Sequence, residues 1–181
     1  WEFIIPHVGT DIVNIDALSF PKVIDVCLHR DLGGCSRFED FMDAVKSEIQ
    51  AKCDVMCENI KSIWFAPSPF MNLFIEGDLY QGAKYNNFGF HGTGIATAAD
   101  SLAAIEKYVY EEKSVSKQEL IEAVDSNFEK HRELLPILRY EAPKMGMNDN
   151  AVDAKAVFLL EAFADSLKGK RNCRGGIYRA G

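Results

Sequence analysis

KYNNFGFHGTGIATAADSLAAIEKYVYEEK runs from Lys84 to Lys113, and how it is read decides the fold. Gly89, Gly92 and Gly94 lead into a run in which Ala98, Leu102, Ile105 and Val109 recur every three or four residues, the stripe of a helix with one buried side. A glycine-rich turn ahead of a helix can cradle a phosphate. A dinucleotide fingerprint needs G-x-G-x-x-G directly after a buried strand. Here the third position is Thr97, and KYNNFGF does not read as a buried strand. A P-loop needs G-x-x-x-x-G-K-[ST], which this register lacks. The expectation is a turn whose glycines take positive φ and let a neighbouring segment approach closely, not a nucleotide site.

The same helical grammar recurs on both sides. SFPKVIDVCLHRD offers Ser19 as an N-cap ahead of Val23, Ile24, Cys27 and Leu28. GGCSRFEDFMDAVKSEIQAKCDVMCENIKSIW sets Ser36 and Glu39 at capping-box spacing, with a stripe of Phe38, Phe41, Met42, Val45, Ile49, Cys53, Met56 and Ile60. Ser116 and Glu119 repeat the box before Leu120, Ile121, Val124 and Phe128. NAVDAKAVFLLEAFADSLKG should bury Val152, Ala156, Leu159, Leu160, Phe163 and Leu167 and stop at Gly169. The long helices are expected at Ser36–Ser62, Thr97–Glu112, Lys117–Leu135 and Asn150–Leu167. Strand signals are few: WEFIIPHV and GGIYRAG, with Ile4, Ile5 and Tyr178 the strongest strand formers. APSPF and YEAPKMGMNDN read as loops. Trp1 in place of a methionine and the glycine-rich last residues read as the ends of a fragment.

Composition narrows the class. Of 181 residues, 48% are hydrophobic and 26% charged, as for a globular chain able to bury a core. A net charge of -7 argues against non-specific binding to nucleic acid or an anionic membrane, and no apolar run could span a bilayer. Five cysteines without regular spacing favour a reduced, cytoplasmic setting. Cys53 and Cys57 are four apart on a helix but lack a third ligand, so both read as core and no metal site is expected. Cys35, close before a helix, should have its thiol pKa lowered by the helix N-terminus. His29 and His131 read as helix-surface residues.

As a block, GAKYNNFGFHGTGIATAADSLAAIEKYVYEE resembles the segment shared by glycyl radical enzymes of the pyruvate formate-lyase family. G-A-x-Y-N stands at Gly82–Asn86, the glycine-rich turn at Gly89–Gly94, and the A-x-x-x-DSL-x-A-I helix with its V-x-E-x-K end at Ala96–Lys113. SRFEDFMDAVKSEI resembles the family's S-F-E-E-L helix, and FAPSPFMNLFIEG its A-P-x-P-F segment. YEAPKMGMNDNAVD resembles N-A-P-K-x-G-N-D-x-x-x-VD, and NCRGGIYRAG resembles P-R-G-G-x-x-x-x-G, with Cys173 where proline is usual. The resemblance implies a helix-rich α/β fold in which residues 1–181 form part of a ten-stranded barrel with outer helices. The thiyl-cysteine loop and the radical-glycine domain would lie outside this chain. The glycines of the opening stretch would then shape a barrel turn near a buried cavity.

The resemblance also implies chemistry. In the family a thiyl radical takes a hydrogen atom from a small-molecule substrate, which then loses a leaving group or carboxylate. The radical-glycine motif R-V-x-G-[YF] occurs nowhere in this sequence. The eliminating members carry G-C-x-E, and this chain opens W-E, so a cysteine before Trp1 would put Glu2 on the acid/base glutamate. Residues two apart on an extended segment share a face, and burial in a barrel raises a carboxyl pKa, which suits a proton shuttle. Glu2 read alone is an exposed terminal glutamate. His7 and His91 are the expected substrate contacts. No cofactor is expected on the chain itself; the glycyl radical would be installed elsewhere by a radical SAM activating enzyme, the implied partner, and the full-length form could be a homodimer. W-E favours a lyase, dehydratase or decarboxylase over a formate acetyltransferase. The alternative is a scaffold or binding protein of the same family that has lost its radical machinery.

Overall fold

Ser19 ends a strand and caps a helix. It closes β1 (Ile12–Ser19) and caps α1 (Phe20–Arg30), its hydroxyl accepting the Lys22 N–H, while Pro21 fits a first turn that needs no N–H there. The computed structural model describes residues 12–63, 70, 73–74, 77–78, 82–83 and 85–181. The strand expected at WEFIIPHV, and APSPF apart from Phe70, lie outside these residues. The chain divides into two compact units: residues up to Leu18 with Ala51–Gly92 and Phe163–Gly181, and Ser19–Gln50 with Thr93–Ala162.

The first unit carries a three-stranded sheet in the order β1–β4–β5, with β4 at Asn87–Thr93 and β5 at Tyr178–Ala180. β4 and β5 are parallel, Phe88 facing Tyr178, Gly89 facing Arg179 and Phe90 facing Ala180. A short antiparallel ribbon pairs β2 (Gly77–Asp78) with β3 (Gly82–Ala83). GGIYRAG supplies its expected strand. NFGFHGT corrects an expectation, because it is a strand whose residues Asn87–Phe90 are all buried. Its glycines hide the pattern, but Phe88 and Phe90 supply apolar area, and the Phe90 ring stacks on Tyr178 at 5.3 Å. Gly89 and Gly92 are thus strand residues, and of the three glycines only Gly94 has a positive φ, 73°.

The second unit is helical. α2 (Phe38–Lys61) starts within it and buries its expected stripe, Met42 only partly. Asp40, one residue beyond the expected Glu39, is the acid that reaches back over the first turn to the Arg37 N–H (2.9 Å) and guanidinium (2.7 Å). α3 (Ile95–Ile105) begins at Gly94, where a Cβ would stand 2.6 Å from Pro21 Cγ. The close approach that Gly94 permits is therefore made by a proline ring. α3 runs on as a π-helical turn, Glu106–Glu111, with the Glu112 N–H bonded to the Lys107 carbonyl five residues back. Ala99 and Ala103 let α3 pack closely on Val152 and Ala156 of α6 (Asn150–Leu167), with Ile95 beside them.

α4 (Lys117–Asp125) opens with the expected capping box, both bonds formed. Its expected extension to Leu135 is not made. The Asn127 N–H bonds to the Val124 carbonyl (2.9 Å) and the Phe128 N–H to the Ala123 carbonyl (2.6 Å), the paired bonds of a Schellman ending. Asn127 takes the left-handed conformation, φ 50°, that asparagine tolerates best among residues with a Cβ. A short α5 (Leu134–Pro136) then runs into a second π-helical turn, Ile137–Glu141. α6 has its expected span, but Leu160 is 49% exposed; 100° of helical rotation separates it from the buried Leu159. No described helix is long and apolar enough to cross a membrane.

Candidate functional site at the β4–β5 corner

Three asparagines build the corner. Asn86, at φ 49°, turns the chain into β4 and offers its carbonyl to the buried side chain of Asn172, whose Nδ2 donates to it at 2.7 Å. Asn172 Oδ1 accepts the N–H groups of Arg174 (2.9 Å) and Gly176 (3.1 Å). Asn87 Oδ1 accepts the Ile177 N–H (3.1 Å) and thereby aligns the loop with the strand. Gly176 passes so close that a Cβ there would overlap the Asn86 carbonyl and stand 2.6 Å from Tyr85 O. At the far end, the Gly181 N–H donates to Phe90 O (2.9 Å) and the Gly92 N–H to Gly181 O (3.1 Å).

This pairing sorts side chains between two faces, because successive strand residues point to opposite sides. Phe88, Phe90 and Tyr178 share the packed face, where the Tyr178 hydroxyl donates to the Cys57 carbonyl of α2 (3.2 Å). Burial of that phenol pushes its pKa up to about 12. Asn87, Gly89 and His91 therefore belong to the other face, and the register adds Arg179 opposite Gly89. His91 and Arg179 are exposed, and the residue between them in the pattern has no side chain. The Asn14 amide oxygen of β1 lies beside this end of the sheet, 3.5 Å from where a Cβ on Gly181 would stand. The face thus offers an imidazole and a guanidinium, which can donate hydrogen bonds to hydroxyl or anionic groups, with the buried amide oxygen of Asn14 beside them as an acceptor.

Of the expected site residues, the structure describes His91, on a strand and not in a turn; Glu2 and His7 lie outside the described residues. Arg179 and Asn14 are additions. Arg179 was legible in principle, since a strand that buries Tyr178 must turn its neighbour the other way. The expectation for Cys35 fails. Burial, reinforced by the charge of Asp31, raises its thiol pKa, and the thiol donates to the Asp31 carbonyl (3.2 Å). Cys53 and Cys57 are buried as expected, burial pushing the Cys53 thiol up to about 12.

A groove of about 710 Å³ lies within the helical unit, walled by apolar residues such as Leu28, Tyr108, Leu120 and Leu138. Three of its charged groups are already employed. Asp100 accepts the Met145 N–H (2.7 Å), Lys144 donates to the Leu138 carbonyl (2.7 Å), and Asp25 holds Lys22 (2.6 Å). These bonds fix the walls, so the strand face is the better candidate for chemistry.

The chain belongs to the pyruvate formate lyase-like family, whose model matches residues 22–181. It is 26% identical over 189 aligned residues to trans-4-hydroxy-L-proline dehydratase of Clostridioides difficile, covering 90% of this chain and 24% of that protein. It is 30% identical over 157 to (2S)-3-sulfopropanediol dehydratase of Klebsiella oxytoca, covering 80% and 19%. The crystal structure of hydroxyproline dehydratase from Clostridioides difficile, with its substrate bound, superposes with a TM-score of 0.80 at 24% identity, over 93% of this chain and 25% of that one. The fold is a helix-rich α/β part of the glycyl radical enzyme barrel. The chain spans about a quarter or less of the length of these relatives.

Proposed function

We propose that this chain forms part of the active-site wall of a glycyl radical enzyme of the dehydratase or lyase type, acting on a small substrate that bears hydroxyl or anionic groups. The observation that carries this reading is the polar face of β4 and β5, set by their parallel register within a chain matched to the family from residue 22 onward. The relatives named above, both dehydratases, favour elimination over acyl transfer. His91 and Arg179 would hold the substrate by hydrogen bonds. After a thiyl radical has taken the substrate hydrogen atom, Glu2 would give its proton to the departing hydroxyl, which leaves as water, and would take up the proton that the remaining radical loses; the thiol would then return its hydrogen atom to the product radical. A radical SAM enzyme would install the glycyl radical. The isolated 181 residues should be inert, and anaerobic activation of this chain alone should give no glycyl doublet by electron paramagnetic resonance.

Glu2→Gln in the full-length enzyme tests the mechanism, because it keeps the side-chain shape and removes the acidic proton. Glycyl radical yield should be unchanged and turnover should fall by roughly 10²–10⁴-fold. Normal turnover would remove Glu2 from the chemistry. A full-length protein that forms no radical under activation would return the scaffold reading. His91→Ala should raise KM more than it lowers kcat, as expected when a binding contact is lost.

A further inference from the structure

The early end of α4 gathers groups that a continuous helix would keep apart. On an unbroken helix His131 would stand about 18 Å along the axis from Glu119 and about 14 Å from Glu122, at 1.5 Å per residue. Instead His131 Nδ1 lies 3.9 Å from Oε1 of Glu119 and 3.8 Å from Oε1 of Glu133, and its Nε2 lies 3.9 Å from Oε2 of Glu122. These gaps are too long for charge-assisted hydrogen bonds, which run about 2.7–2.9 Å. They come near another spacing: atoms bound at 2.0–2.2 Å to one tetrahedral ion stand about 3.4 Å apart. The ligand atoms of Glu119, His131 and Glu133 all lie within 4.8 Å of one another.

The geometry points to a site for a divalent transition ion of the zinc class, held by Oε1 of Glu119, Nδ1 of His131 and Oε1 of Glu133, with water in the fourth position. Three features favour it. The other oxygen of Glu119 accepts the Ser116 N–H in the capping box, so this ligand is positioned by the helix start. Glu122 stands 3.9 Å from Nε2, beyond hydrogen-bond reach but on the side to which a metal-bound imidazole turns its remaining N–H. One imidazole with two carboxylates suits zinc better than magnesium or calcium, which prefer shells made of oxygen alone. The ion would clamp 131–133 onto α4 and so fix the turn carrying Phe128, which lines the helical groove with Leu120 and Val124.

Calorimetric titration of Zn²⁺ into the metal-free full-length protein tests this, with Mg²⁺ as the comparison and a parallel Cys173→Ser form to remove the exposed thiol. One equivalent of zinc should bind, magnesium should bind far more weakly, and amide exchange across 126–133 should slow. His131→Ala and Glu133→Gln should each weaken binding roughly tenfold or more, and Glu122→Gln should weaken it less. Glu133 is 68% exposed, so its substitution leaves the fold intact, which circular dichroism checks. Absence of zinc binding, or binding of unchanged affinity in both His131→Ala and Glu133→Gln, would overturn the site.

Discussion

The corner around Asn172 and the helical layer around Ala99 hold together by opposite means. In the corner, amide side chains bond to backbone groups 86 and 90 residues away, and a glycine lies where no Cβ fits. In the layer, small apolar residues of α3 and α6 meet at helical spacing, with the Lys155–Glu106 ion pair at their margin. A buried hydrogen bond tolerates little displacement, whereas an apolar contact accepts another side chain of similar volume. The corner is built for position and the layer for cohesion.

Gly176→Ala should break the comparison most severely. The Asn86 carbonyl cannot yield, because Asn86 is itself held by Asn172, and a loss above about 3 kcal/mol is expected in urea denaturation. A loss below about 1 kcal/mol would mean the corner is no stiffer than the layer. Asn172→Ala comes next. It strands the Asn86 carbonyl and the N–H groups of Arg174 and Gly176, for about 2–3 kcal/mol, while Leu159→Met in the layer should cost under about 1.5. Ser116→Ala should cost about 1 kcal/mol through loss of the N-cap of α4.

The smallest effect concerns pH. The His29 pKa is raised above its ordinary 6.5, first by its hydrogen bond to the Asp25 carbonyl (2.7 Å), then by Asp125 (2.9 Å). The protonated form is therefore favoured in the fold. Its stabilisation is complete below pH 6.5 and is lost as pH rises through the higher folded value. The effect is small, because the imidazole is 35% exposed and Asp125 is 63% exposed. Asp125→Asn should flatten the slope of stability with pH in that window.

What the sequence makes legible follows from range. Ser19, Ser116 and Glu119 act within one turn, so their caps can be read from spacing, as can the stripes of α2 and α6. β4 was hidden because its burial depends on Tyr178, 90 residues from Phe88, and Gly89 and Gly92 dilute its pattern. The end of α4 carries a local signal in Asn127, because asparagine readily takes the left-handed conformation that ends helices. That ending, which a stripe running on to Phe128 does not reveal, is what brings His131 to Glu119. For the strand face, His91 could be selected by residue type, but only the register put Arg179 beside it.

The parallel pairing of β4 and β5 has a consequence for the order in which the chain assembles. The bond from Ile177 to Asn87 closes a loop of 90 residues, and logarithmic scaling makes the entropic cost about 4 kcal/mol if the loop is disordered. If α3 and α6 have already met through Ala99, Ala103, Val152 and Ala156, much of that loop is already ordered. The strands should therefore join after the folding transition state. Asn172→Ala should then accelerate unfolding while leaving the folding rate almost untouched, and substitutions at Ala103 should slow folding itself.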